Sequence, residues 1–263
     1  MTTAMAALRD LGGSLTRLPL AARLAFDDIE GKYRRTILGP LWIVAGQAAT
    51  IGGFVVLFSG LFGVEWQGYA LYLAAGIPVW TLMAAHITDM PNAFIGARGV
   101  IESFELPWLT HIWRRSFGYV LAFLHQIVIL FVLMAVMQQP PTLNMLLAIP
   151  AMLVLFIAFV GFGVFLAVVG ARYRDLQPAT QVAAGFLFLF TPVMWQADRL
   201  REGVSWAFQY NPLYYFITLV REPLLGRAPA DHIWIVAGVL AGLAFVVGFL
   251  TFLLARRRLY HWL

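Results

Sequence analysis

LNMLLAIPAMLVLFIAFVGFGVFLAVVG, residues 143–170, runs without one Asp, Glu, Lys or Arg. A helix rises ~1.5 Å per residue and needs about 20 apolar residues to cross a ~30 Å hydrocarbon core. Five more stretches of the same kind surround it, at 41–62, 69–85, 116–137, 178–195 and 233–255, all equally free of those four residue types. The 69–85 stretch reaches crossing length once 86–88 are included. Inside a bilayer, backbone N–H and C=O groups must be satisfied within the protein, which favours helices. The chain is therefore expected to be an all-α integral membrane protein with six transmembrane helices.

Composition agrees with that reading. Of 263 residues, 61% are hydrophobic and 12% charged, and the mean hydropathy is +0.80. Soluble domains carry about 25% charged residues. The net charge of +5 fits loops that meet anionic head groups, and membrane lipids rather than nucleic acid are the expected partners. There is no cysteine, so disulfides, thiolate nucleophiles and Cys-ligated metals are excluded. No early apolar core accompanies the basic residues before position 36, so no cleavable leader is expected.

Orientation follows from the arginines and lysines. Arg9, Arg17, Arg23, Lys32, Arg34 and Arg35 precede the first span, and Arg98, Arg114 and Arg115 lie between the second and third. Arg172 and Arg174 fall between the fourth and fifth, and Arg256, Arg257 and Arg258 follow the last. The other side holds Arg199, Arg201, Arg221 and Arg227. This bias predicts that both termini are cytoplasmic.

Two segments lie beside the spans rather than within them. Leu15, Leu18, Ala22, Ala25, Ile29 and Tyr33 recur at helical spacing, with charged residues mainly between them. The pattern predicts an amphipathic helix on the cytoplasmic surface, from near Pro19 to near Gly39-Pro40. It serves either as a lipid anchor or as a lever for a cytoplasmic partner. The segment 204–220 is mostly apolar but is interrupted by Asn211-Pro212, which disfavours one continuous helix. We read it as two outer-leaflet re-entrant half-helices; an aromatic belt without re-entry is the alternative. Trp206, Phe208, Tyr210, Tyr214 and Tyr215 suit an interface.

The chemistry missing from the sequence narrows the function. The spans hold no acid–base pair of the kind that ion-coupled transporters keep at depth. His86 and His125 lack an acidic neighbour, so helix–helix hydrogen bonding is the simpler role for them. No H-E-x-x-H, G-x-S-x-G or G-x-x-x-x-G-K-[ST] pattern occurs, so no catalytic residue, metal site or nucleotide loop is expected. Energy for uphill transport must then come from another polypeptide. Small residues at Gly161, Gly163, Ala167, Ala171, Gly238, Gly242 and Gly248 suit close helix packing, mostly within the chain.

Four motifs then point to a class. They are Lys32-Tyr33-Arg34-Arg35-Thr36-Ile37-Leu38-Gly39-Pro40-Leu41-Trp42, Gly170-Ala171-Arg172-Tyr173-Arg174-Asp175-Leu176, Thr191-Pro192-Val193-Met194-Trp195, and Asn211-Pro212 followed by Arg221-Glu222-Pro223-Leu224-Leu225-Gly226. In this order, across nearly the whole chain, they resemble the permease of type-2 ABC exporters for polysaccharides such as O-antigen, capsule and teichoic acid. The resemblance implies an ABC type-2 transporter fold and a homodimer with two separate cytoplasmic ATPase subunits. ATP and Mg would be bound by those partners and no cofactor by this chain. A lipid-pyrophosphate-linked glycan would pass between two permease copies in a bacterial inner membrane.

The same resemblance divides the chain. Residues 1–36 would be the cytoplasmic N-terminus with the interface helix, 37–258 the permease domain and 259–263 a cytoplasmic tail. Within the permease domain, 89–113 would be the coupling loop and 199–227 the external half-helices. Residues 92–104 are read as a short helix stopped before Pro107. Ala97, Arg98, Ile101, Glu102 and Glu105, with Asp28 and Lys32, would meet the ATPase. Tyr33, Arg34 and Arg35 would either hold the carrier pyrophosphate or the ATPase, or anchor to lipid phosphate; paired guanidiniums suit a phosphate ligand. Arg172, Arg174 and Asp175 would form a cytoplasmic loop, with lipid anchoring as the simpler role. Tyr72, Trp80, Met194 and Trp195 are channel candidates, because aromatic faces contact sugar C–H groups without strong direction. A permease for a drug or lipid, or a membrane enzyme acting on lipid-linked sugars, are the alternative functions.

Overall fold

The computed structural model describes residues 3–104, 106–196 and 206–262, and all regular structure among them is helical. Two helices precede the bundle, α1 (Thr3–Leu15) and α2 (Leu18–Tyr33). The first two long helices are α3 (Leu41–Phe62) and α4 (Trp66–Asp89). Short α5 (Ala93–Gly96) and α6 (Arg98–Ser103) follow. Then α7 (Leu109–Gln126) and α8 (Val128–Val136) continue through Ile127. Next come α9 (Ala148–Arg172), α10 (Leu176–Phe190), α11 (Trp206–Gln209) and α12 (Pro212–Leu224). The last long helix is α13 (Asp231–Ala255), before α14 (Leu259–Trp262).

Among the described residues, five helical segments are long and apolar enough to cross a membrane, while α10 has only 15 residues. At ~1.5 Å per residue that is about 22 Å, less than the ~30 Å core. The sequence suggests one apolar run over 178–195, but the helix stops at Phe190. Thr191 is extended, as a residue before proline prefers, and 191–195 form turns. The fifth span of the sequence reading is thus a short helix followed by irregular backbone.

The centre of the bundle is α4. Most of its side chains are buried, and α3, α7, α8, α9, α10 and α12 all pack on it. By contrast, α3 and α13 bury few of their apolar side chains, as lipid contact or a second copy requires. The most extensive helix pair is α9 with α13. A Cβ on Gly248 would lie 2.0 Å from the Gly161 carbonyl oxygen, so only glycine permits this approach. Gly238 and Gly242 face open space, so that pair does not build the intramolecular contact.

Two sequence expectations change near the N-terminus and the coupling loop. The surface helix ends at Tyr33 rather than near Gly39-Pro40, because the Thr36 N–H and hydroxyl both donate to the Tyr33 carbonyl. Its packed face is also narrower than its periodicity suggests: Ala21 and Ala25 are buried and Ile29 half-buried, but Leu15 and Ala22 are exposed. The loop 89–113 contains less loop than expected. Asp89 ends α4 and 109–113 open α7, so Arg114 and Arg115 belong to a spanning helix. The expected helix at 92–104 is broken into a 3-10 turn at Met90–Asn92 and short α5 and α6. Gly96 disfavours a continuous helix there, and Arg115 Nη2 packs 2.9 Å from where its Cβ would sit.

The segment broken at Asn211-Pro212 forms two helices, as the sequence suggests. Pro212 occupies the first turn of α12, and the Asn211 side chain accepts from the Leu213 N–H at 3.0 Å. The α12 helix packs against α4, α9 and α13, so it is part of the bundle and not a loose surface element.

Candidate functional site

One end of the bundle gathers α1, α2, α5, α6, the start of α7 and α14. Asp10 on α1 organises it. Its carboxylate accepts from the backbone N–H groups of Trp108 (3.0 Å) and Leu109 (3.1 Å), capping α7 from a distant part of the chain. Arg256, just after α13, closes the ion pair at 3.1 Å and stacks over the Trp108 ring at 4.9 Å. Burial pushes the Asp10 carboxyl above its ordinary range, while the two N–H donors and Arg256 pull it back. Trp113 Nε1 also donates to Ser14 Oγ at 3.2 Å. A groove of about 1010 Å³ runs between α1, α6 and the chain after α13, with Arg9, Arg17 and Glu102 on its walls.

The residues expected to meet an ATPase separate into two groups. Arg98 and Glu102 pair at 2.7 Å on the exposed side of α6, and Ala97 is half-buried between α5 and α6. An exposed pair of this kind holds little energy. Ile101 is buried and anchors α6 to the bundle. Glu105 lies outside the described residues. Asp28 is engaged inside the chain, since Arg114 on α7 donates to both its carboxylate oxygens, at 2.7 and 2.5 Å. Lys32 is exposed, with its ammonium 5.5 Å from the Tyr33 ring centroid. Arg34 and Arg35 are exposed in the turn before α3, and neither has an ion pair or hydrogen bond among the described residues. Arg172 stacks on Tyr173 and Trp262 at 5.2 and 5.4 Å, Arg174 donates to the Trp262 carbonyl at 3.5 Å, and Asp175 is exposed before α10.

Behind α2, a pocket of about 750 Å³ opens between α2, α3, the end of α4 and α7. Tyr33, Trp42 and Tyr119 supply aromatic walls, and Lys32, Arg114, Arg115, Asp28 and Asp89 supply charge. Three further lining residues are buried, and one polar atom of each has no partner among the described residues: Gln47 Nε2, His111 Nε2 and Gln126 Oε1. Buried polar atoms are normally satisfied.

Near the other end, side chains clamp the irregular 191–195 segment. Tyr69 donates to the Met194 carbonyl at 2.6 Å. The Tyr72 hydroxyl lies 2.9 Å from the Pro192 carbonyl and 2.8 Å from that of Trp195. Arg221 of α12 donates through Nη1 to the Tyr72 oxygen (2.6 Å) and the Pro192 carbonyl (2.5 Å). Its guanidinium carbon is 4.2 Å from the Tyr72 ring centroid. Asn211 donates to Thr191 Oγ1 (2.9 Å) and the Phe190 carbonyl (3.3 Å). Side chains of α4 and α12 thus replace the helical hydrogen bonds that 191–195 gives up.

These contacts bear on the channel candidates. Tyr72 and Trp80 are 6% and 7% exposed, inside the core of a single chain, so neither faces a passage outside it. Trp80 packs on Phe188 of α10 at 5.5 Å between ring centroids. Met194 and Trp195 are half-buried, with Trp195 Nε1 donating to the Leu189 carbonyl at 2.9 Å. Tyr210 is exposed, and Tyr214 is half-buried between Phe208 and Tyr215 at 5.1 and 5.2 Å. Trp206 begins α11, and its side chain lies outside the described residues. His86 links α4 to Ser116 of α7 at 3.2 Å, which is the simpler role for a membrane histidine.

Sequence reasoning missed Asp10, Arg256, Gln47, Gln126 and His111, and it counted Arg221 as a loop charge. Some signals were available. Asp10 is the sole acidic residue before Asp27, and Gln47 and Gln126 interrupt otherwise apolar spans.

The profile of the ABC-2 type transporter family matches residues 28–225. The chain belongs to that family. Two curated relatives, each named O-antigen export system permease protein RfbA and both from Klebsiella pneumoniae, are each 24% identical over 200 residues. The match covers 74% of this chain and 76% of each relative. The chain is therefore a multi-pass ABC-2 permease of the inner membrane, the membrane subunit of a transporter.

Proposed function

We propose that this permease is the transmembrane subunit of an ATP-driven exporter that moves a lipid-linked polysaccharide, O-antigen in the first place, out of the cytoplasm. Two copies form the passage, and two cytoplasmic ATPase subunits supply nucleotide binding and hydrolysis. Both termini face the cytoplasm. The observation that carries this reading is the likeness to two O-antigen export permeases over about three quarters of the chain.

The geometry supports the assignment of faces. The Asp10–Arg256 junction joins α1, the start of α7 and the chain after α13, so a push on any of them reaches spanning helices. The exposed Arg98–Glu102 pair and the groove beside α1 give an ATPase polar contacts there. Arg34 and Arg35 are exposed at the turn into α3, where a carrier pyrophosphate would meet paired guanidiniums.

The test is deletion and complementation in the source bacterium, with surface glycan read by immunoblot. Loss of surface glycan with intracellular build-up of the lipid-linked polymer is expected, restored by the plasmid-borne gene. Normal surface glycan in the deletion strain would assign the permease to another cargo, such as a lipid or drug.

A further inference from the structure

We propose that the pocket behind α2 binds a sugar phosphate, and specifically the phosphate-linked sugars at the carrier end of the exported glycan. The identity of that ligand's source rests on the exporter reading; the site itself rests on the pocket's own atoms.

The three orphan atoms are the starting point. Gln47 Nε2 is a donor, Gln126 Oε1 an acceptor, and His111 Nε2 serves as either, depending on its tautomer. Their residues are 8%, 6% and 4% exposed and come from two helices, α3 and α7, that face one cavity. A buried polar atom without a partner carries a desolvation penalty that an exposed amide, bonded to water, does not. Ser59, Thr110, Thr218 and Arg221 each hold one such atom as well, scattered away from this cavity; what sets Gln47, His111 and Gln126 apart is that all three line one pocket large enough to hold a partner.

The walls define the chemistry of that partner. Neutral donors and acceptors beside Trp42, Tyr33 and Tyr119 fit a ring with hydroxyls at its edge and C–H groups on its face. An alkyl chain would leave the amides unpaired. A bare anion would leave the aromatic walls unused. The charged lining residues come from α2, the end of α4 and α7. Asp28 neutralises Arg114 through the two-point contact, and Arg115 donates to the Asp89 and Asn92 carbonyls at 3.3 Å each. Lys32 remains at the exposed rim, next to Arg34 and Arg35. A phosphate on the ligand therefore belongs at the α2–α3 turn, with the sugar directed inward to Gln47 and Gln126.

The experiment uses the permease assembled with its ATPase in zwitterionic-lipid nanodiscs and saturation-transfer NMR. The probes are glucose 1-phosphate, glucose, glycerol 1-phosphate and inorganic phosphate. Glucose 1-phosphate is expected to bind more tightly than each of the others. Gln47→Met with Gln126→Met, which keeps side-chain length, should weaken it at least tenfold while the complex still elutes intact. Lys32→Gln, at an exposed position that does not threaten folding, should erase the preference for glucose 1-phosphate over glucose. No binding by the wild-type complex, equal binding by the Gln double variant, or an unchanged preference in Lys32→Gln would each overturn the proposal. Preferential binding of glycerol 1-phosphate would also overturn it, making the pocket a phospholipid-headgroup site. The exporter reading is judged separately by the deletion strain. Lost surface glycan there, together with unaltered probe binding in the Gln variant, would reject the pocket and keep the exporter.

Discussion

Arg221 is 3% exposed and belongs to no ion pair among the described residues. A buried guanidinium is costly unless its N–H groups are satisfied. Tyr72 provides its ring face and its hydroxyl oxygen, and Pro192 a carbonyl, both oxygens to Nη1, while Nε has no partner among the described residues. Tyr72→Phe keeps the ring and removes the hydroxyl. A hydrogen bond to a charged group contributes about 1.5–3 kcal/mol, and the donated bond to a backbone carbonyl about 1 kcal/mol more. The expected loss is therefore about 2.5–4 kcal/mol. Arg221→Met removes the charge and fills part of its volume, and the Tyr72 hydroxyl still has its carbonyl partners. In that background Tyr72→Phe should cost only the neutral bond, about 1 kcal/mol. The coupling energy from the cycle is then about 1.5–3 kcal/mol. Reversible unfolding in mixed micelles, followed by far-ultraviolet circular dichroism, measures all four proteins. Additivity within about 0.5 kcal/mol would show that Arg221 does not depend on Tyr72, and the clamp on 191–195 would have to be abandoned.

Other outcomes follow from the same contacts. Asp10→Ala uncaps α7 and strands Arg256; the cost should be near the low end of the ~3–5 kcal/mol range for half of a buried pair, since Arg256 keeps some solvent. Hydrogen exchange should show α1 loosened. The raised Asp10 pKa means that the folded chain holds this proton more tightly than the unfolded one. The associated stability is complete below the ordinary carboxyl value and is lost as pH rises through the raised one. Protection of α1 should accordingly be at least as great at pH 5 as at pH 7, and a marked loss at pH 5 would contradict this. Gly248→Ala forces α9 and α13 apart and should cost about 1–3 kcal/mol or more. Gly238→Ala, in open space, should change stability by no more than about 1 kcal/mol; thermal melting separates the two. Replacing Arg34 and Arg35 together by Ala should leave folding and insertion intact and impair export, as read by surface glycan. Normal export would reduce both to lipid anchors.

The bundle was legible in the sequence because a bilayer imposes a length and an apolar composition on anything that crosses it. The Asn211-Pro212 break was legible because proline limits both its own backbone and that of its neighbour. Other features depend on contacts between distant positions. Asp10 caps a helix that begins at Leu109, and no local pattern connects the two. Arg221 looks like a loop arginine until α12 folds into the bundle and Tyr72 meets it. The Thr191-Pro192 pair did carry a signal for the end of α10, but the surrounding apolar run concealed it. Tyr72 and Trp80 are plausible sugar contacts by residue type, yet the core of one chain surrounds them. Periodicity also overstated the packed face of α2, since a helix lying between protein and lipid has two apolar neighbours. Its exposed Leu20 and Phe26 are read as facing the lipid.

Inverted proteoliposomes test the central claim most directly, with lipid-linked glycan placed in the outer leaflet and its arrival in the lumen measured by protection from an added glycosidase. The account predicts ATP-dependent protection when the permease is reconstituted with its ATPase, and none with the permease alone or with an ATPase that binds but cannot hydrolyse ATP. Protection produced by the permease alone, or by the full complex without ATP, would contradict it.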